Sequence, residues 1–285
     1  MDRFCAALVA AGIVVLIAGT AAAERPLERG TYLVHSIAAC GNCHTQQGPD
    51  GPTGPELAGG NPIEEPGAFV ARPANITPDP ETGIGAWTDA QLAKAIREGI
   101  RPDGSLIGPP MPFEVYNRLS DSDVAAIIAY LRTVQPVHNV VPKSEYKIPL
   151  PPAYGPPVGS VPDVPRADKL AYGAYLAGPL GHCVVCHTPM IEGRPDFEHA
   201  LGAGGVKFYG PWGVSVSRNL TPDPESGLGA WSDAEIKRAI SEGVSRDGTR
   251  LQPPMAFHWY RNISDEDLDA IVAYLRSLKP IRNEN

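Results

Sequence analysis

Cys40-Gly41-Asn42-Cys43-His44 returns 143 residues later as Cys183-Val184-Val185-Cys186-His187. Downstream of each string the similarity continues. Asn75-Ile76-Thr77-Pro78-Asp79-Pro80-Glu81-Thr82-Gly83-Ile84-Gly85-Ala86-Trp87 recurs as Asn219-Leu220-Thr221-Pro222-Asp223-Pro224-Glu225-Ser226-Gly227-Leu228-Gly229-Ala230-Trp231, at an offset of 144 residues. Pro110-Met111 with Pro254-Met255, and Ala129-Tyr130-Leu131-Arg132 with Ala273-Tyr274-Leu275-Arg276, keep that offset. A repeat at constant spacing marks a duplicated structural unit. The one-residue change after the cysteines is the kind of length variation that surface loops tolerate.

Each copy reads as mainly helical. Leu27 to Ala39 leads into the first cysteine pair, with Gly30, Tyr32 and Leu33 mirrored by Gly173, Tyr175 and Leu176. Thr88-Asp89-Ala90-Gln91 and Ser232-Asp233-Ala234-Glu235 are capping boxes, with Trp87 or Trp231 before the cap and Leu92 or Ile236 placed for a hydrophobic staple. The helices that follow stop at Gly99 and Gly243. A last helix opens at Ser120 or Ser264 and ends before Pro136 or Pro280. The expected fold class is all-α, with two tandem domains over 24–138 and 167–285 that carry long Gly/Pro-rich loops. Between them, 139–166 is rich in proline, which cannot sustain a helix, and reads as a semi-rigid extended linker.

The chemistry lies in the C-x-x-C-H strings. Two thiols three residues apart on one helical turn can bond both vinyl groups of one haem, and the adjacent imidazole reaches the iron from the same side. Structural zinc would need four ligands, and each copy lacks a credible fourth. A thioredoxin-like pair would sit in alternating strands and helices, which are not seen here. The expected cofactors are therefore two covalently bound haem c groups. Cys40, Cys43, Cys183 and Cys186 would attach them, and His44 and His187 would ligate the irons.

The opposite iron position decides between electron transfer and small-molecule chemistry. Met111 and Met255 are the candidates, at equivalent places in Pro-Pro-Met loops 67 and 68 residues after the respective histidines. His/Met ligation closes an iron to substrates. Met190 has no counterpart and reads as packing. His35, His138, His182, His199 and His258 are also unrepeated and read as surface or packing residues, with His258 the nearest rival to Met255. Trp87 and Trp231 read as staples. Asn75 and Asn219, with Arg72 and Arg218 nearby, fit either haem propionates or a turn at Thr-Pro-Asp-Pro.

Met1-Asp2-Arg3, an apolar run to Ala18 and a small-residue exit read as a secretory signal over 1–23, cleaved after Ala23; an uncleaved anchor is the alternative. No later stretch is long and apolar enough to span a membrane. Cys5 falls within the signal, leaving two matched pairs. A net charge of -8 with no basic block speaks against nucleic acid or anionic lipid as partner and favours a basic protein. Export places the chain in the periplasm, or peripheral to the inner membrane through a partner.

Taken together, C-x-x-C-H, Asn-Ile-Thr-Pro-Asp, Gly-Ile-Gly-Ala-Trp-Thr-Asp, Pro-Met-Pro-Phe and Leu-Ser-Asp-Ser-Asp before Ala-Tyr-Leu-Arg resemble the multihaem cytochrome c subunits of membrane-associated alcohol, gluconate and sorbitol dehydrogenases. The resemblance covers nearly all of both copies. It implies two tandem cytochrome c domains, with Cys40, Cys43, Cys183 and Cys186 holding haem and His44, Met111, His187 and Met255 on iron. It also implies electrons taken from a partner dehydrogenase and passed to a downstream respiratory acceptor, a quinone, another cytochrome or an oxidase. Such subunits usually carry three haem domains, and this chain shows two. The rival function is a dihaem enzyme, a peroxidase or a thiosulfate-oxidising cytochrome, which needs an open or unusually ligated iron.

Overall fold

A computed structural model describes residues 25–49 and 51–283; the signal sequence expected over 1–23 lies outside them. The first copy contains α1 (Pro26–His35), α2 (Cys40–His44), α3 (Asp89–Glu98), α4 (Phe113–Tyr116) and α5 (Asp121–Leu131). The second repeats the order with α6 (Lys169–Tyr175), α7 (Cys183–Cys186), α8 (Asp233–Glu242), α9 (Phe257–Tyr260) and α10 (Asp265–Ser277). A π-helical turn, Leu176–Leu180, prolongs α6 around Pro179.

Local chemistry sets the helix ends. The Thr88 hydroxyl accepts from the Gln91 N–H at 3.2 Å while the Gln91 side chain accepts from the Thr88 N–H at 2.8 Å. Ser232 and Glu235 make the same exchange at 3.3 and 2.7 Å. Such reciprocal bonds satisfy amide donors that the first helical turn leaves open. The two helices end on left-handed glycines, Gly99 (φ 68°) and Gly243 (φ 66°).

In each copy the first helix crosses the last, α1 on α5 and α6 on α10, at a glycine. A Cβ on Gly30 would lie 1.9 Å from the Ala126 carbonyl oxygen, and one on Gly173 would lie 2.0 Å from that of Ala270. Leu33, Ile37, Leu119 and Ile127 of the first copy are buried, as are Leu176, Ile271 and Leu275 of the second. They join one apolar cluster that runs through both copies.

The helices account for only part of the fold, and the all-α expectation is corrected. The described residues are 32% helical with 12% strand. In the Gly/Pro-rich segments proline blocks helix and glycines turn the chain back, so backbone groups pair as short hairpins instead. Ile63–Glu65 pairs antiparallel with Phe69–Ala71 through a turn at Gly67 (φ 79°), and Lys207–Gly210 pairs with Gly213–Val216 through Gly213 (φ 91°). The proline-rich segment takes part as well: Glu145–Tyr146 adds a third strand beside Phe69–Val70. Met190 lies in another hairpin and is 51% exposed, so it is not a packing residue.

The copies meet through reciprocal contacts. The Tyr32 hydroxyl donates to Asp267 at 2.7 Å, and the equivalent Tyr175 hydroxyl donates to the equivalent Asp123 at 2.8 Å. Exchange of the same residue pair in both directions is the signature of a two-fold-like interface. Among the described residues, no helix is long and apolar enough to cross a membrane.

Candidate functional site

Short helices α2 and α7 carry the two C-x-x-C-H strings. Each is entered through a left-handed, non-glycine residue, Ala39 (φ 46°) and His182 (φ 41°), which turns the chain sharply after the preceding helix. The i, i+3 spacing then sets Cys40 beside Cys43, and Cys183 beside Cys186, on one helical face. None of the four forms a disulfide. Burial pushes the thiols up to about 12 for Cys40, 11 for Cys43, 11 for Cys183 and 12 for Cys186, so all four are protonated at neutral pH.

The histidines have identical settings. His44 Nδ1 lies 2.8 Å from the Ala74 carbonyl oxygen, and His187 Nδ1 lies 2.7 Å from that of Arg218. A carbonyl can only accept, so Nδ1 carries the proton and Nε2 keeps its lone pair. Burial lowers both imidazoles from their ordinary value, against the opposing pull of the carbonyl bond, and keeps them neutral. A carbonyl on the far nitrogen is the second-shell bond that orients a metal-binding histidine. Two thiols and one such imidazole per turn fit a covalently attached haem. No group of three or more His, Cys, Asp or Glu among the described residues is placed to hold a metal ion.

Met111 and Met255 are half-buried against the core, each at the mouth of a four-residue helix, α4 or α9. Phe113 N–H donates to the Met111 carbonyl and Phe257 N–H to that of Met255, both at 3.0 Å, so the two loops share one backbone form. His258 is exposed, edge-on to Trp259 and beside Gly51 of the other copy.

The remaining histidines have ordinary partners. His35 bonds Tyr130 at 2.6 Å, His138 lies near Asp79 and Glu81, and His199 pairs with Asp196 at 3.0 Å. His182 is held by burial at about 4 and sits edge-on to Tyr116. Trp87 and Trp231 precede the capping boxes and pack on the core. Arg132 and Arg276 bind their carbonyls.

Both cysteine motifs approach the interface between copies. Burial raises the Tyr116 phenol well above its usual range, with the Cys40, Cys43 and Cys186 thiols adding to the shift. Tyr260 is raised likewise, by burial and then by Cys183, Cys186, Tyr116 and Cys43. A Cβ on Gly41 would lie 2.8 Å from the Trp259 ring, and the Asn42 amide donates to the Pro254 carbonyl at 3.1 Å. Asn42 thus ties one cysteine pair to the residue before Met255. Sequence reading missed it because its only signal is tertiary; the Ala74 and Arg218 carbonyls escaped for the same reason.

The cytochrome c family model matches residues 28–135 and again 171–279. This chain belongs to the cytochrome c family. The cytochrome is 36% identical to the fructose dehydrogenase cytochrome subunit of Gluconobacter japonicus over 93% of its own length and 57% of that relative. It is 32% identical to the cytochrome c subunit of a quinone-type alcohol dehydrogenase from Gluconacetobacter polyoxogenes, over 93% of its own length and 60% of the relative. A diheme cytochrome c-type protein of Cereibacter sphaeroides is 33% identical, over 85% and 82%. The cytochrome thus spans less than two thirds of the dehydrogenase subunits and most of the diheme relative. Haem binding and electron transfer are what this membership establishes.

Proposed function

We propose that the cytochrome is an exported periplasmic relay, taking electrons one at a time from a partner dehydrogenase and passing them to a downstream respiratory acceptor. When bound, haem c supplies one-electron chemistry at an iron that alternates between two oxidation states. Cys40 and Cys43 would hold one haem by thioether bonds, and Cys183 and Cys186 the other. Nε2 of His44 and of His187 would bind the irons, together with the sulfurs of Met111 and Met255. The single observation that carries the relay reading is the direct contact of the first cysteine motif with the second copy's Pro-Pro-Met loop, where the Asn42 amide donates to the Pro254 carbonyl at 3.1 Å and Gly41 closes on the Trp259 ring.

The chain's own residues do the rest. The Ala74 and Arg218 carbonyls hold each imidazole correctly turned, and burial keeps it neutral. Buried Tyr116, Tyr260 and Trp259 exclude water from the ground between the two sites. The net charge of -8 favours a partner with a basic docking face. The cytochrome subunits of fructose, alcohol and gluconate dehydrogenases among the relatives support a dehydrogenase as electron donor.

The test is carbon monoxide binding to the freshly reduced, haem-loaded protein. Methionine on both irons predicts no rapid binding, and substituting Met111 or Met255 by Leu opens one haem each. Rapid binding to the unaltered protein would favour a dihaem enzyme over a relay. Co-purification with a dehydrogenase that reduces both haems within its turnover time would identify the donor.

A further inference from the structure

The two Pro-Pro-Met loops are alike in sequence yet fastened by different parts of the chain. In the first copy, the Tyr146 hydroxyl donates to the Pro109 carbonyl and the Tyr154 hydroxyl to the Ile107 carbonyl, both at 2.9 Å. Both tyrosines come from the proline-rich segment between the copies. The Tyr154 ring also stacks on Phe113, with centroids 4.7 Å apart and planes inclined by 28°. Anchors therefore fall at 107, 109 and 113, on either side of Met111.

The fit extends to the backbone. The Tyr146 ring occupies the space a side chain at 108 would need: a Cβ on Gly108 would lie 2.3 Å from its Cζ. The second copy has Gln252 at the equivalent position. Tyr146 is itself braced, since Glu145–Tyr146 pairs with Phe69–Val70 and its ring lies 5.9 Å from that of Phe69. In the second copy the corresponding carbonyl, that of Pro253, accepts from Ser215 in the Gly213–Val216 strand at 2.6 Å. Each loop thus receives a hydroxyl on the same carbonyl, and only the first receives it from the inter-copy segment.

We propose that Tyr146 and Tyr154 are positioning residues that clamp Ile107–Phe113 so that the Met111 sulfur stays on the first haem's iron. The inference rests on the reading of Met111 as that iron's ligand. A thioether is a neutral, weak donor, and its occupancy depends on how firmly its loop is held in the bound form. The proline-rich segment is then a structural brace for one redox centre as well as a connection between two. Loosening it alters the first haem and leaves the second unchanged.

The experiment uses the full-length, haem-loaded protein carrying Tyr146→Phe, Tyr154→Phe, both together, and Ser215→Ala. Readouts are the methionine-to-iron charge-transfer band, the two reduction potentials and carbon monoxide binding to the reduced form. Met111→Leu and Met255→Leu assign each signal to its haem. The paired tyrosine variant is expected to lower the first haem's potential and speed its carbon monoxide binding by about tenfold, the equivalent of losing one or two hydrogen bonds. Ser215→Ala is expected to move only the second haem.

If Met111→Leu leaves the band intact, the ligation reading fails. If it removes half the band while the paired tyrosine variant keeps wild-type potentials and carbon monoxide rates, the clamp alone is overturned. Should the paired variant fail to accumulate, Tyr146→Phe decides by the same readouts, since it keeps the ring over Gly108 and deletes one hydroxyl.

Discussion

Asn75 uses its whole hydrogen-bonding capacity on backbone and turn. Its Oδ1 accepts from the Thr77 N–H at 3.0 Å and hydroxyl at 2.7 Å, while its Nδ2 donates to Thr82 at 3.0 Å and to the Val137 carbonyl at 2.8 Å. Asn219 repeats the set with Thr221, Ser226 and Ile281. A side-chain amide has two donors and two main acceptor sites, so nothing remains for a propionate and the turn reading prevails. The consequence reaches the site, because the neighbouring carbonyls of Ala74 and Arg218 orient the two histidines. Asn75→Ala leaves buried donors and an acceptor without partners and is expected to cost about 2 kcal/mol, with Asn219→Ala similar in the second copy. Thermal unfolding of the haem-loaded protein measures both; a midpoint unmoved by Asn75→Ala contradicts this account. The C-x-x-C-H strings were legible because their chemistry is complete within five residues. The carbonyl on each imidazole lies 30 or 31 residues away and belongs to no side chain, so no motif could announce it.

Gly30 and Gly173 decide how closely the first and last helices of each copy can approach. A methyl group at Gly30 would meet the Ala126 carbonyl oxygen at 1.9 Å, a contact with backbone that no rotamer relieves. Gly30→Ala is therefore expected to destabilise by about 3 kcal/mol through overpacking, even though alanine is the better helix former. Denaturant titration of the haem-loaded chain tests this, and a neutral or stabilised variant would show that α1 can move away from α5. Helices α3, α5, α8 and α10 were readable because caps and apolar spacing are local signals. The hairpins were not, since proline and glycine declare only what a segment avoids. The strand at Glu145–Tyr146 was still less accessible: its partner Phe69–Val70 lies more than seventy residues upstream, with α3, α4 and α5 between them.

The two-fold-like interface is symmetric in its tyrosines and asymmetric in its charges. Asp123 is buried and bound by both Arg29, at 2.7 and 3.0 Å, and Tyr175. Asp123 and Tyr172 raise the Arg29 guanidinium above its usual value against the opposing cost of burial, so it stays charged. Asp267, only 2% exposed, receives Tyr32, and the position equivalent to Arg29 is occupied by Tyr172. Substituting Tyr175 by Phe leaves Asp123 with its guanidinium, and substituting Tyr32 by Phe removes a hydroxyl that Asp267 accepts from across the interface. Each substitution removes one hydrogen bond to a buried carboxylate, so about 2 kcal/mol is expected for Tyr32→Phe and for Tyr175→Phe. Either loss weakens the junction that brings the cysteine motifs together, and it should begin to split unfolding into two transitions as the copies uncouple. Urea denaturation of both variants in the haem-loaded full chain makes the comparison. A variant that unfolds at the wild-type midpoint would mean that its hydroxyl contributes nothing to the junction.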